Sequence, residues 1–409
     1  MQIAIIGGGA SGFMGAITAA ETFPEASVII FEKNRTVLNK VRVSGGGRCN
    51  VTHQPLDLRF FIKNYPRGEK FLKKLLGRFD ARDTIAWFEA RGVRLKTESD
   101  GRMFPETDSS QTIIDCLITT AQALNIQIFT SANVKSFTIN DGITGSRFSV
   151  QLDDQHIAAD RLLITTGGYP KTSGFDWLAQ HSHSIVEPLP SLFTFNTPGS
   201  YLLSLAGVAV SDAEVKITGT KHQWRGPVLI THWGFSGPAV LKLSAWGARD
   251  LAAMNYHFQC RINWIAGSNE QQVREQLIEE KSKSPKQQLL SHGRFGLPLR
   301  LWKAIGEQAG IPETMRWGDV PNKLLNRMIE LLTNGQYEVK GKTTFKEEFV
   351  TAGGISLQAI NPDTLESRAV PGLFFAGEVL DVDGITGGFN FQNAWTTGYV
   401  AGKNIGSTH

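Results

Sequence analysis

Ile3-Ala4-Ile5-Ile6-Gly7-Gly8-Gly9-Ala10-Ser11-Gly12 opens the chain, and a second apolar run at residues 27–32 ends in Phe31-Glu32-Lys33. The first run is short, isoleucine-rich and closed by glycine, as a buried strand is. A Gly/Ala/Ser-rich stretch of helical character reaches about Thr22 before the second run begins. Strand, helix and strand in about 30 residues imply a parallel pair joined by a crossover helix. Within that unit Gly7, Gly9 and Gly12 stand as G-x-G-x-x-G. Gly7 permits a tight turn, Gly9 lets the backbone approach a pyrophosphate, and Gly12 lets helix and strand pack closely. The helix start at Ala10 and Ser11 offers free N–H groups and a positive dipole end to phosphates. Glu32 lies 20 residues beyond Gly12, where an acid accepts hydrogen bonds from ribose hydroxyls. A lone fingerprint is weak evidence. With strand, helix and acid in place it reads as a dinucleotide site, against the plain alternative of a glycine-rich turn without a ligand.

The nucleotide is NAD or FAD, and the tail of the chain helps to choose. Residues 371–378 (PGLFFAGE) read as an apolar strand running into Gly377 and Glu378. Gly387-Gly388-Phe389-Asn390-Phe391-Gln392 then opens a helix reaching about Gly402. A second strand end with an acid, beside a second helix N-terminus, suits a long cofactor lying across the sheet. Glu378 would bind ribityl hydroxyls, and the helix end would stabilise negative charge on a reduced flavin. Two other segments agree. Residues 162–168 (LLITTGG) form a strand meeting a small-residue turn at Thr166-Gly167, which lets the chain pass close to a nucleotide. Ser44-Gly45-Gly46-Gly47-Arg48-Cys49-Asn50 is a glycine run flanked by donors, with Arg48 and Asn50 able to hydrogen-bond a flavin or substrate carbonyl. No second G-x-G-x-x-G occurs in the sequence, which argues against a separate nicotinamide-nucleotide domain.

At 409 residues, with 41% hydrophobic and 20% charged residues, the chain reads as a globular protein of two or three domains. No apolar run is long enough to span a membrane, and Met1-Gln2 enters the first strand without a signal-peptide pattern. Three scattered cysteines, Cys49, Cys116 and Cys260, fit a reducing compartment and point to the cytoplasm. One helix, or two closely joined, is expected at 68–92 and another at 109–124, and strands near 126–129, 133–139, 147–152 and 161–166, with an Asn140-Asp141-Gly142 turn. Residues 191–265 read as strands of a small antiparallel sheet or barrel, and 268–333 as helical. Glycine-rich α/β character returns after about 345. The expected division is a nucleotide domain of 1–190 with 345–409, a β-barrel-like insert of 191–265 with 336–344, and a helical insert of 266–335. The termini of an interrupted domain should lie close together.

Other features carry less. Lys63, Arg67, Lys70, Lys74 and Arg78 recur at helical spacing opposite Phe71, Leu72, Leu75 and Phe79. That pattern is a solvated helix face or an anion-binding surface. Cys49 has no partner cysteine nearby and reads as packing more readily than as a redox thiol. His53, His222 and His232 are each isolated, and the nine histidines show no metal-ligand spacing, so no metal is expected.

Taken together the segments resemble a group of bacterial flavoproteins, the aminoacetone-oxidase-like family that also includes a bile-acid-inducible reductase. The match is carried by Gly7–Gly12 with Glu32-Lys33, Lys40 through GGGRCN to Thr52, residues 101–105 (GRMFP), Thr165–Gly168, residues 231–238 (THWGFSGP) and residues 377–402. It covers nearly the whole chain. One departure is His53, where the family pattern more often has Asn. The resemblance implies an α/β fold, a glutathione-reductase-type Rossmann FAD domain interrupted by an inserted β-barrel-like and helical domain. It implies non-covalent FAD, with the ring near the insert. Gly46, Gly47, Arg48, Asn50 and the 387–391 turn (Gly388, Phe389, Asn390, Phe391) would then lie near the flavin, with Lys33, Lys40, Ser44, Thr166, Gly167, Gly377 and Glu378 completing the cofactor site. The backbone of Val134 would meet the adenine.

The reaction expected is hydride transfer between flavin and a small organic substrate, with NAD(P)H as a transient co-substrate. A peroxide-producing amine oxidase is the alternative within the same class. A tRNA-modifying flavoprotein, motivated by the basic 63–78 stretch, and a non-catalytic flavin-binding regulator are alternatives outside it. No RNA-binding module is evident, which argues against nucleic acid as partner. The sequence names no catalytic acid or base.

Overall fold

The computed structural model describes residues 1–140, 145–153, 155–343 and 350–407. Asp141 and Gly142 of the expected turn lie outside the described residues. The chain divides into two compact units, Met1–Ser191 with Phe345–His409, and Leu192–Thr344.

The first unit is built on a five-stranded parallel sheet. Its order is Leu373–Phe375, Arg161–Ile164, Gln2–Ile6, Ser27–Phe31, Gln127–Phe129. Parallel strands are covered on both faces, so they read as continuous apolar runs. Ile3 to Ile6, Val28 to Phe31, Leu162 to Ile164 and Leu373 to Phe375 are accordingly buried. The opening helix, Ala10–Thr22, packs against the closing helix, Phe389–Asn404, through small residues. A Cβ at Gly402 would stand 2.5 Å from the Gly15 carbonyl oxygen, and one at Gly398 2.6 Å from that of Ser11. Both chain ends meet here: Gly406 lies against Met1. Strand order reverses on either side of Gln2–Ile6, so a crevice opens at the carboxyl ends of this strand and Arg161–Ile164.

Three differences from the sequence reading have local causes. The strand expected at 133–139 starts only at Ser136: Ala132 N donates to Glu32 O (2.8 Å), at the nucleotide end of the parallel sheet, and by Lys135, whose N donates to Gln151 O (2.9 Å), the chain has crossed to the next sheet. The 63–78 stretch is not one helix. Leu58–Phe61 and a 3-10 turn precede a break, and the helix proper is Glu69–Leu76. Arg67 falls in the break and turns inward, Lys63 pairs with Glu69 and Arg78 with Asp363, and only Lys70 and Lys74 of the five are exposed on the helix proper. The uniform basic face is therefore not formed. Finally, residues 191–265 are not strands throughout: Gly237-Pro238 starts a helix, Pro238–Trp246, followed by Ala248–Ala253. Proline at the first helical position needs no amide partner there.

The second unit is a seven-stranded antiparallel sheet ordered Gly335–Lys340, His257–Asn263, Ala209–Ile217, Gln223–Ile230, Gly234–Ser236, Thr194–Asn196, Lys342–Thr343. Its two edges are consecutive in the chain across Gly341, so the sheet curls on itself as a barrel does. Helices Glu270–Lys283, Leu299–Gln308 and Asn322–Asn334 share one apolar core with it, through Val273, Leu277, Trp302, Ile305, Met328 and Leu332. No helix among the described residues is long and apolar enough to cross a membrane.

Candidate functional site

The first strand ends at Ile6, and Gly7 turns the chain with φ +116°. Gly9 is the N-cap of the opening helix, with Ala10 and Ser11 in its first turn. The glycines differ in what surrounds them. A Cβ at Gly12 would stand 2.0 Å from Gly7 O and 2.8 Å from Thr165 Oγ1, whereas among the described residues nothing stands within 4 Å of one at Gly9. Gly12 is thus a packing glycine, and Gly9 borders open space at a helix end whose amides face outward. That space is a cradle for a diphosphate. Thr165, quoted in the 162–168 stretch but given no role of its own there, fixes the cradle's wall: its hydroxyl donates to Ile6 O (3.1 Å) and Gly7 O (2.8 Å).

Glu32 follows the second strand and is buried. Its carboxylate accepts from Gly8 N (2.9 Å) and from Asn34 N and Nδ2 (2.8 and 2.6 Å). These three bonds orient it beside the cradle, with lone pairs remaining for ribose hydroxyls. Val134 is half-buried, two residues beyond Ala132, whose N donates to Glu32 O (2.8 Å). Lys33 is exposed, 6.0 Å from the Tyr169 ring centroid.

A second group gathers beside the first helix end. Glu378 accepts from Thr351 N (2.9 Å) and pairs with Lys40. Gly377 N donates to Thr397 Oγ1 (2.8 Å), and a Cβ on Gly377 would meet Ser11 Oγ at 2.4 Å. Glu378, Gly377 and the first helix end are therefore one neighbourhood. Thr166 and Gly167 border it, with Gly167 in the left-handed region at φ +76°.

The glycine run is preceded by a helix that carries Lys40, and the helical path breaks at Ser44, Gly45 and Gly46. Among the described residues nothing stands within 4 Å of a Cβ at Gly46 or Gly47, so backbone there is open to a ligand. Ser44 turns back on Val41 O (3.0 Å). Arg48 lies 3.9 Å over the Phe104 ring and bonds Glu98 (2.6 Å), a carboxylate that raises its already high pKa. Asn50, oriented to satisfy both of its amide atoms, donates to Thr52 O (3.1 Å) and accepts from Gly388 N (3.0 Å). Cys49 is fully buried, and burial pushes its thiol up to about 12, the property of a packing residue.

Gly388 caps the closing helix with φ +91°. Phe389 is buried, with its ring packed among His53, Phe61 and Tyr65. Asn390 exchanges two bonds with Gly384 (2.8 and 2.9 Å), and Phe391 stacks on Trp395. Tyr65 donates to Phe389 O (2.8 Å). His53 stacks on Phe389 with Nδ1 3.1 Å from Gly387 O. Beneath the turn, Gln392 Oε1 accepts from Thr52 (2.6 Å) and Thr84 (2.9 Å). The structure so holds the second helix end rigidly from many sides. Neither Tyr65 nor Thr84 carried a local motif that could have flagged it, and Gln392, though in the quoted helix start, was given no role there.

An open diphosphate cradle, a buried acid beside it and a second fixed helix end in the same unit fit FAD.

The family described as HI0933-like protein Rossmann domain matches residues 1–404. The 3-dehydro-bile acid delta(4,6)-reductase of Clostridium scindens is 28% identical over 413 residues, 98% of each chain. The ribosomal RNA dihydrouridine synthase of Escherichia coli is 29% identical over 416 residues, 98% of this chain and 97% of that one. Among solved structures, the 3-ketosteroid-delta4-(5alpha)-dehydrogenase of Rhodococcus jostii RHA1 shares the fold, with a TM-score of 0.52 and 12% identity over 99% of this chain and 96% of that one. The protein is an FAD-dependent oxidoreductase, as the sequence implies. By a match that runs almost from end to end, the chain belongs to the HI0933-like Rossmann family.

Proposed function

We propose that this protein saturates a carbon–carbon double bond conjugated to a carbonyl, and that its substrate is a uracil ring in ribosomal RNA. The two relatives act on different molecules, but their names describe one chemistry. A delta(4,6)-reductase of a 3-oxo steroid and a dihydrouridine synthase both add hydride to one alkene carbon and a proton to its neighbour. FAD, when bound, supplies the hydride.

The chain's own residues bind and orient. The Gly9 opening with the first helix end takes the diphosphate, Glu32 takes the ribose, and Lys40 with Glu378 borders the path between the two helix ends. The closing helix directs its positive end at the site, with Gly388 held by Asn50, and favours negative charge there. NAD(P)H is the proposed electron donor, entering the open crevice as a transient reactant.

The observation that carries the RNA reading is the distribution of charge. Leu192–Thr344 holds 18 Lys and Arg against 12 Asp and Glu, a net +6, while the rest of the chain, 24 against 26, is −2. A concentration of positive charge in one unit suits a polyanion. The second reading, a 3-oxo-4,6-diene steroid, is favoured by the full-length C. scindens relative. Incubating the yellow protein with NADH or NADPH and unmodified ribosomal RNA transcripts, then counting dihydrouridine by mass spectrometry, separates the two. Dihydrouridine is the expected product. Its absence, with loss of dienone absorbance in a parallel steroid assay, would move the substrate to the steroid.

A further inference from the structure

The barrel-like sheet of the second unit has an apolar inner face and a polar outer one. On the outer face Gln223, Lys216, Arg261 and Gln336 are all exposed, one from each of four adjacent strands. They are in register: Lys216 is opposite Gln223 on one side and Arg261 on the other, and Arg261 is opposite Gln336. The result is a row of donor side chains across four strands with two cations at its centre and no carboxylate in it. Directly opposed like charges destabilise a sheet, because their Cβ atoms are only about 5 Å apart.

The surrounding acids do not relieve this pair. Glu338 is bonded to Lys340 (3.1 Å), Asp212 to Arg225 (2.6 Å), and Glu214 stands opposite Arg225 in the register. Among the described residues Lys216 and Arg261 have no ion-pair partner, and they lie in the unit that holds the whole positive excess of the chain.

We propose that this outer sheet face docks the phosphate backbone of RNA, with Lys216 and Arg261 at its centre and the two glutamines flanking them as neutral donors. The inference rests on the RNA reading above and adds to it a surface within the inserted unit. Two adjacent cations facing water gain most from a ligand whose charges repeat along a chain, since each phosphate neutralised releases counterions. Amide side chains beside them add hydrogen bonds to phosphate and sugar oxygens without reading sequence.

The test uses the full chain with FAD bound. Binding of an unmodified ribosomal RNA transcript and of oligouridylate is measured over a salt series for wild type and for Lys216→Gln with Arg261→Gln. A control of equal charge, Lys323→Gln with Arg327→Gln, alters two exposed cations on a helix of the same unit. The face variant should bind about tenfold more weakly or worse, with a salt slope lower by about 1.4, two contacts at about 0.7 each. The control should keep the wild-type slope, and both variants should keep full flavin content. Equal losses in face variant and control, or an unchanged slope in the face variant, would overturn the docking surface while leaving RNA as substrate. Wild type that ignores RNA at low salt would overturn both. Weakened retention on phosphatidylserine vesicles, with RNA binding unchanged, would reassign the face to a membrane and sink the proposal.

Discussion

Arg67 grips both oxygens of the Asp383 carboxylate through Nε and Nη2, and Ser191 Oγ donates to the same group at 2.7 Å. Asp383 is completely buried. Burial pushes its carboxyl above the usual range, and the bonds from Arg67 and Ser191 oppose that push. The pair ties the break at residue 67 to the segment that leads into Gly388. Ile385 N to Asn64 O (2.9 Å) and the Tyr65 bond to Phe389 O clamp the same segment.

Removing one partner leaves a buried charge uncompensated. Arg67→Ala should therefore cost about 3–5 kcal/mol in urea denaturation. The double substitution Arg67→Met with Asp383→Leu should cost less than Arg67→Ala alone. A double variant that loses as much as the two single changes added together would show that packing, not charge pairing, carries this contact.

The two fingerprint glycines should fail differently. Gly9→Ala meets open space, so the apoprotein should unfold at the wild-type midpoint while FAD affinity falls at least tenfold, about 1.4 kcal/mol. Gly12→Ala forces a Cβ onto Gly7 O and should lower the folding midpoint itself. Thermal melts of the apoproteins and FAD titrations distinguish the cases. Equal effects from both variants would contradict the assignment of roles.

Stability should fall in mild acid. His183 is buried, with Nε2 2.8 Å from Ser367 Oγ, and burial holds its pKa below the ordinary value of 6.5. His181, stacked on Phe137, is shifted in the same direction by burial. The unfolded chain thus takes up protons before the folded one does. Stability is full above about pH 6.5, declines as pH drops through that value, and levels off below the depressed folded pKa. Urea midpoints across this range should follow that course, and His183→Gln should flatten it. A midpoint that rises on acidification would have the wrong sign.

Cys49 and Cys260 should resist thiol reagents in the native state at mildly alkaline pH. Both are buried, with thiols pushed up to about 12 by desolvation. Cys116, half-buried and also raised, should react first but slowly. Rapid labelling of Cys49 in the folded protein would reopen a redox role for the glycine-run loop.

Much of the fold was legible because a parallel sheet writes itself as uninterrupted apolar runs, and the diphosphate cradle because glycine spacing there has a steric cause. Glu32 was legible for the same reason, lying one crossover beyond the glycines. What was hidden came from long-range contacts. Arg67 has the spacing of a helix-face cation, and only the break before Gly68 turns it toward Asp383, 316 positions away. Phe389 reads as part of a turn beside the flavin, and only the fold shows its ring packed against Tyr65 and His53. The helix at Pro238–Trp246 was masked by a β-rich neighbourhood, although Gly237-Pro238 is a legitimate helix start.

The most direct test is a single turnover without oxygen. The flavin of the purified protein is photoreduced, any nicotinamide is removed, and unmodified ribosomal RNA transcript is mixed in by stopped flow. The yellow absorbance should return, with one dihydrouridine formed per flavin reoxidised. Reduced flavin that RNA and conjugated enones leave untouched, but that air reoxidises to give peroxide, would contradict alkene reduction and make this protein an oxidase.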